Sequence, residues 1–329
     1  MEFLERAISL ARLGLTNTSP NPHVGAVIVS PDGRIIGEGF HRKCGEAHAE
    51  VNAVSSVRAE DRHLLKESTI YVTLEPCSHY GKTPPCAKLI VDTGIGNVVV
   101  GTGDPNPEVN GRGLEMMRRA GINVEMAEGD IAEKCRRLDG HFMSSFVSGR
   151  PYITLKWAQS ADGFMASANG SPVRFSTPLT LTLVHKLRSE HDVILTTSET
   201  VIADNPVMDT RFWSAGKDPV KAVLDRNHRI SSDARIFDKG ETLVFDGDVQ
   251  SVIEELGKRG FRSILVETGP AMLGEFIRRG LYDSIRIEKS PVILGEAGGK
   301  KSPALPSDVK VDSAKNIDGN TVLSLVRIH

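Results

Sequence analysis

The chain has 329 residues, a formal net charge of −2, 40% hydrophobic, 25% charged and 5% aromatic residues. This is an ordinary soluble composition with room for about two domains. It carries no basic run of the kind that marks a nucleic-acid footprint, and no stretch approaches the ~18 uncharged apolar residues of a membrane span.

Leu4, Ala7, Ile8, Ala11 and Leu15 recur at helical spacing. Glu2 and Glu5 stand where a signal peptide would carry basic residues, so a cytoplasmic protein is expected. Residues 25–29 read as a strand, Pro31-Asp32-Gly33 as a turn and Ile35-Ile36 as the start of a returning strand, a hairpin. A helix from about residue 46, a strand over 70–74, a helix from about 85 and a strand over 98–100 follow. Next come a helix over 113–120, a strand over 122–124 and one long helix over 131–146. Ser148-Gly149-Arg150-Pro151 is the best boundary, giving domains over 1–147 and 150–329. Beyond it strands are expected over 152–155, 193–195, 222–224, 242–245, 264–266, 285–287 and 322–326, with helices over 179–189 and from about 270 to 280. Strands alternating with helices imply α/β sheets with covered faces. No internal repeat and no low-complexity segment occurs.

The strongest chemical signal is His48-Ala49-Glu50, then Glu75-Pro76-Cys77, then Cys86. One imidazole and two thiolates suit a zinc site whose fourth position stays open for water, a nucleophile that ionises near neutral pH. Glu50, two residues from a ligand, is the candidate proton carrier. Two residues is about 200° of helical rotation, so His48 and Glu50 share a site only if it lies off the helix end. Pro84-Pro85 before Cys86 favours a helix start there, and two helix N-termini would then favour thiolate over thiol. Zinc nucleobase deaminases that act on nucleic acids share the signature with two residues between the cysteines. Here eight residues separate them, so a nucleic-acid-editing enzyme is the poorer match. Cys44 and Cys135 read as ordinary thiols.

Over nearly its whole length the chain resembles the bifunctional riboflavin-biosynthesis deaminase/reductase family. The matching runs are Asn21-Pro22-His23-Val24-Gly25, His41, the segment from Gly45 to Glu50, the segment from Tyr71 to Cys86, and Asp104-Pro105-Asn106-Pro107. The resemblance implies a cytidine-deaminase-like three-layer α/β domain followed by a dihydrofolate-reductase-like α/β domain, with Zn2+ and NADPH as cofactors. It implies a phosphorylated pyrimidine substrate, whose ring amine is replaced by oxygen and whose ribosyl group is then reduced to ribityl. It implies no nucleic-acid or membrane partner and is compatible with a homo-oligomer. In the first domain it assigns Asn21, His41, Lys82, Asp104 and Asn106 to substrate; a cation at Lys82 suits a phosphate.

In the second domain the resemblance rests on Leu155-Lys156, Ser160-Ala161-Asp162-Gly163, the segment from Thr200 to Pro206, and Val266-Glu267-Thr268-Gly269-Pro270. It assigns Arg188, Met208, Arg211 and Glu267 to substrate. Ala158, Thr200, Asp204, Gly269, Pro270, Ala271, Met272 and Leu273 fall to the cofactor. No Gly-x-Gly-x-x-Gly fingerprint is present; the helix start after Gly269 is the candidate phosphate cradle instead. Pro172 and Arg174 depart from the family's serine and tryptophan, and Asn205 from its second aspartate. A second reading is therefore a deaminase whose C-terminal domain binds ligand without reducing it.

Overall fold

The computed structural model describes residues 2–14, 17–80, 84–169, 173–214 and 216–328. The chain divides into two compact units, Met1–Gly149 and Arg150–His329.

The first unit is built on a five-stranded sheet of β1 (Gly25–Val29), β2 (Ile35–Phe40), β3 (Thr69–Val72), β4 (Asn97–Val100) and β5 (Asn123–Met126), in the order β2-β1-β3-β4-β5. β1 is antiparallel to both neighbours, whereas β3, β4 and β5 run parallel. Strand side chains alternate between faces, and here both faces are apolar. Ala26, Ile28, Ile70, Val72, Val98 and Val100 pack under α2 (Ala49–Ser56), α3 (Cys86–Thr93) and α4 (Arg112–Arg119). The alternate residues Val27, Val29, Tyr71 and Val99 pack under α1 (Glu2–Ala11) and α5 (Gly129–Leu138). The result is three layers. At Gly39 of β2 a Cβ would lie 2.3 Å from the Ala53 nitrogen. Only glycine lets α2 settle that close, which fixes the helix beginning beside His48.

One long helix was expected over 131–146. Instead α5 ends at Leu138 and α6 (Gly140–Ser148) begins two residues later. The break is Asp139, whose backbone leaves the helical region (φ −116, ψ 39). Its carboxylate accepts hydrogen bonds from the backbone N–H of His23 and lies within hydrogen-bond reach of that residue's Nδ1. This tertiary tie outweighs helix propensity.

The second unit holds an eight-stranded sheet in the order β12-β13-β11-β6-β10-β7-β8-β9. Its strands are β6 (Tyr152–Gln159), β7 (Val193–Thr197), β8 (Val220–Leu224), β9 (Thr242–Phe245), β10 (Ser263–Glu267), β11 (Ser284–Lys289), β12 (Val309–Ile317) and β13 (Asn320–Arg327). From β11 to β9 all neighbours are parallel, and β12-β13-β11 is antiparallel. Ile153, Leu155, Val193, Leu195, Ile264 and Val266 pack under α9 (Val249–Lys258) and α10 (Pro270–Arg278). On the other face Ile194, Val223 and Leu265 meet Leu187 of α7 (Pro178–Ser189) and Val201 of α8 (Ser198–Asp204). Parallel strands covered on both faces leave their carboxyl ends as the natural crevice for ligand. No described helix is long and apolar enough to cross a membrane.

Candidate active sites

In the first unit the chemistry collects at two helix starts. His48 is the N-cap of α2, with extended backbone (φ −71, ψ 168). The expected helix from about residue 46 starts three residues later, at Ala49, because the Ala47 carbonyl lies within hydrogen-bond reach of His41 Nδ1 and accepts from Asn52 Nδ2. This settles the 200° problem: His48 stands outside the helix and Glu50 inside its first turn. Cys86 opens α3 with Pro85 as its N-cap. The Cys86 and Ala87 N–H groups donate to Cys77 Sγ and Cys77 O, at 3.3 and 3.1 Å, holding Cys77 against that helix end.

His48 Nδ1 lies 3.7 Å from Cys77 Sγ and 3.4 Å from Cys86 Sγ, and all three donor atoms fall within 4.8 Å of one another. Nitrogen and sulfur bound to one tetrahedral zinc at about 2.1 and 2.3 Å stand about 3.6 Å apart. The donor set therefore fits zinc in chemistry and spacing. The Cys86 thiol hydrogen-bonds Cys77, which lowers the pKa of Cys77 and pushes that of Cys86 up. Glu50 is 3% exposed. Burial, helped by the negative charge of Cys77, raises its carboxyl to about 6.

Of the residues assigned to substrate here, Asn21 and His41 come together. With the Ala47 carbonyl taking the proton on His41 Nδ1, Nε2 is free to accept from Asn21 Nδ2, 3.1 Å away. The His41 ring stands edge-on to His48, centroids 5.2 Å apart, and burial lowers its pKa, keeping it neutral. Asp104 is buried, and its carboxyl is raised to about 6, chiefly by that burial. It caps its own loop by accepting from Asn106 N, as Asn106 Oδ1 does from Glu108 N. Lys82 lies outside the described residues. Sequence reasoning gave Glu75 no role of its own. Its carboxylate accepts from Gly111 N and Gly113 N, tying the 104–113 segment to the run that carries Cys77. A Cβ on Gly113 would lie 2.2 Å from the Pro76 carbonyl oxygen.

The second unit contains a cavity of about 900 Å³ over the carboxyl ends of β6, β10, β7 and β8. Ala158, Thr200 and Asp204 line it, as do Gly269, Pro270, Ala271 and Met272 at the start of α10. Leu273 does not; it is fully buried in the core beneath α10. Gly269 has ordinary extended backbone (φ −70, ψ 165), so its conformation does not require glycine. The space a Cβ would fill is open, leaving room for a ligand to approach.

Arg188, Glu267 and Met208 also face the cavity. Arg188 grips Glu267 through Nε and Nη2, both at 2.9 Å, and donates from Nη1 to the Asp209 carbonyl. Burial alone would raise the Glu267 carboxyl, but Arg188 and Lys156 hold it at about 2. Met208 has left-handed backbone (φ 55), a strained state for this residue. Arg211 lies off the cavity wall, paired with the Asp209 carboxylate and stacked on Phe212.

The departures from the family pattern have structural answers. Asn205 ends α8 in left-handed backbone (φ 40), where asparagine is favoured, and accepts from Arg235 N. Arg174 is exposed and off the cavity wall, while Trp157 and Phe175 supply its aromatic lining. Pro172 lies outside the described residues. Sequence reasoning missed Arg226, Arg229, Lys300 and Lys301. With Lys156 and Arg188 they outnumber the acids Glu199, Asp204 and Glu267 around the cavity, which suits polyanionic ligands.

The family model of the RibD C-terminal domain matches residues 151–323. That of the cytidine and deoxycytidylate deaminase zinc-binding region matches residues 1–102. The riboflavin biosynthesis protein RibD of Aquifex aeolicus (strain VF5) is 36% identical over 318 residues, covering 89% of this chain and 87% of that protein. The chain belongs to the RibD family. RibD of Escherichia coli (strain K12) is also 36% identical, over 89% of this chain and 88% of its own. The structure of Acinetobacter baumannii RibD, form 1, superposes with a TM-score of 0.91 at 31% identity, over 100% of this chain and 98% of that one. A Thermotoga maritima diaminohydroxyphosphoribosylaminopyrimidine deaminase/5-amino-6-(5-phosphoribosylamino)uracil reductase gives 0.87 at 34% identity, over 99% and 98%. As a RibD family member the chain is a bifunctional deaminase/reductase of riboflavin biosynthesis, with a cytidine-deaminase-like zinc-binding domain followed by a RibD-type reductase domain. Its cofactors are zinc and NADPH.

Proposed function

We propose that the first unit hydrolytically deaminates 2,5-diamino-6-ribosylamino-4(3H)-pyrimidinone 5′-phosphate. The second unit then reduces the ribosyl group of the product to ribityl. The observation that carries the reading is the convergence of His48, Cys77 and Cys86 within 4.8 Å, with the buried carboxyl of Glu50 in the first turn of the helix that His48 caps.

In this reading His48, Cys77 and Cys86 hold the zinc. When bound, zinc supplies a Lewis acid that brings the pKa of a water in its open position down toward 7. Glu50 both takes a proton and returns one to the departing amine, and its burial, which favours the neutral carboxyl, assists the return. Asn21 and His41 present a fixed, neutral hydrogen-bonding pair to the base or ribose. Asp104, Asn106 and Lys82 complete the contacts.

In the second unit the first N–H groups of α10, those of Ala271 and Met272, have no partner within the helix and favour a phosphate. Ala158, Thr200, Asp204 and Gly269 form the adjoining wall. Leu273 contributes by anchoring α10 in the core. When bound, NADPH supplies the reducing equivalent. Arg188 and Arg211 meet at Asp209, one on its carbonyl and the other on its carboxylate. That convergence supports a 5′-phosphate handle beside Met208, whose binding energy positions the reacting end.

The test is a coupled assay on one preparation of the zinc-loaded chain, following ammonia release and NADPH consumption. Stoichiometric ammonia followed by NADPH oxidation is expected. Ammonia without NADPH oxidation would overturn the second half of the reading, and no ammonia the first.

A further inference from the structure

The two arginines read above as a phosphate handle stand in different surroundings. Arg188 faces the cavity of the second unit and is held there by Glu267. Arg211 lies off the cavity wall, its guanidinium against the Asp209 carboxylate and over the Phe212 ring. A carboxylate of the chain itself therefore occupies the cation that a phosphate would seek. For Arg211 to serve a ligand in the cavity, this contact has to open.

Of the two partners, Asp209 is the fixed one. Its carbonyl accepts from Arg188 Nη1 at 3.2 Å. The following residue, Thr210, donates from N and Oγ1 to Asp218 Oδ1 at 2.7 and 2.6 Å. The preceding residue, Met208, is in left-handed backbone (φ 55), a state that persists only where its surroundings over-determine it. The Asp209 side chain is 8% exposed and that of Arg211 46%, so Arg211 is the partner able to swing. A buried carboxylate left alone would oppose that movement. Lys239 removes the obstacle. Its Nζ is anchored 2.8 Å from Asp218 Oδ2 and stands 3.8 Å from Asp209 Oδ2, while Arg211 holds Oδ1. His185, edge-on to Phe212 with centroids 4.8 Å apart, adds no competing charge near neutral pH. Burial, with Arg188 and Arg211 close by, lowers its pKa to about 4. The Asp209 carboxylate thus has a cation at each oxygen and can release Arg211 without standing unpaired.

We propose that Asp209 is a specificity-determining latch for the reductase step, an inference that rests on reading Arg188 and Arg211 as the phosphate handle. Asp209 holds Arg211 off the cavity until a 5′-phosphate draws it away, and Lys239 then takes over the carboxylate. A ligand that needs the released state binds more weakly by the fraction of chains in that state, so opening the latch tightens phosphate binding. The experiment measures KM for the deaminated 5′-phosphate and for its dephosphorylated nucleoside at saturating NADPH, with the inhibition constant of inorganic phosphate against the 5′-phosphate. It uses the zinc-loaded full chain, Asp209→Asn, Lys239→Met, Asp209→Asn/Lys239→Met and Arg211→Ala. Asp209→Asn is expected to lower KM for the 5′-phosphate and the phosphate inhibition constant about threefold to fivefold, the scale of a half-exposed ion pair. The effect falls on KM rather than kcat, and KM for the nucleoside holds. Lys239→Met should raise the same two constants, and the double variant should behave as Asp209→Asn. Arg211→Ala should raise KM for the 5′-phosphate about tenfold or more. If Arg211→Ala does so while Asp209→Asn leaves both constants unchanged or raises them, the latch is overturned and the handle stands. A fall in KM that is equal for the nucleoside also overturns the latch. If Arg211→Ala changes nothing, the handle itself falls and takes the latch with it.

Discussion

Replacing Arg188 by methionine tests the buried ion pair on the reductase cavity. Glu267 receives two hydrogen bonds of 2.9 Å from Arg188, and the two side chains are 12% and 11% exposed. Removing one partner of such a pair costs about 3–5 kcal/mol, because the other charge stays behind. Lys156 Nζ, 3.9 Å from the carboxylate, relieves part of that, so Arg188→Met is expected to cost about 3 kcal/mol. The double variant Arg188→Met/Glu267→Gln leaves a neutral acceptor for Lys156 and should regain at least half of the loss. Both tryptophans of the chain, Trp157 and Trp213, lie in the unit Arg150–His329. Urea unfolding followed by their emission therefore reports this unit alone. With a slope of about 1–3 kcal/mol per molar urea, the midpoint falls by roughly 1–3 M. The pH dependence has a fixed sign. Glu267 is held at about 2, below its ordinary 4.5. Its contribution is complete above about pH 4.5 and fades as pH drops toward 2, and the difference is worth about 3 kcal/mol. The gap between wild type and Arg188→Met should be constant from pH 7 to 5 and close below that. A single variant within about 1 kcal/mol of wild type, or a gap that persists at pH 2.5, would refute the reasoning.

Cys77→Ser/Cys86→Ser should purify without zinc and without deaminase activity while keeping NADPH oxidation, measured by metal analysis and separate rate assays. Prolonged chelation of the wild-type chain should do the same, reversibly. Glu50→Gln should retain zinc and fold but lose about 10²–10⁴-fold in deamination rate; near-normal turnover would remove Glu50 from its role. In Gly113→Ala the new methyl meets the Pro76 carbonyl at 2.2 Å. The backbone beside Cys77 must shift, and a stability loss of about 1–3 kcal/mol with weakened zinc retention is expected in competitive chelator titration.

Local signals in the sequence located most of the strands and singled out His48, Cys77 and Cys86, which the fold brings together. His48, Glu50, Cys77 and Cys86 carry their meaning in spacing, and Pro85 marks the helix start beside Cys86. What escaped was mostly non-local. The Asp139 break depends on His23, 116 positions away. β12 is an edge strand with mostly exposed side chains, so it lacks the alternating apolar pattern. α8 has only seven residues, following β7 without a turn. α9 is different, because its signal is local: Val249, Val252, Ile253 and Leu256 at helical spacing behind an Asp248 cap. The cavity cations Arg226, Arg229, Lys300 and Lys301 come from turns that only the sheet order brings together.

The strand order of the two units has a consequence for synthesis on the ribosome. Every strand of the first sheet finds its partners within the first 126 residues. β6, in contrast, lies between β10 and β11, with Tyr152 beside Ser263 and Thr154 beside Ser284. The centre of the second sheet therefore waits until most of the chain has left the exit tunnel, and closing such distant contacts is intrinsically slow. Domains fold as units, N-terminal first, as they emerge. The nascent chain thus completes its zinc-binding domain while the strand that will floor the cavity of the second unit is still unpaired. Truncated or stalled products would carry the first activity without the second.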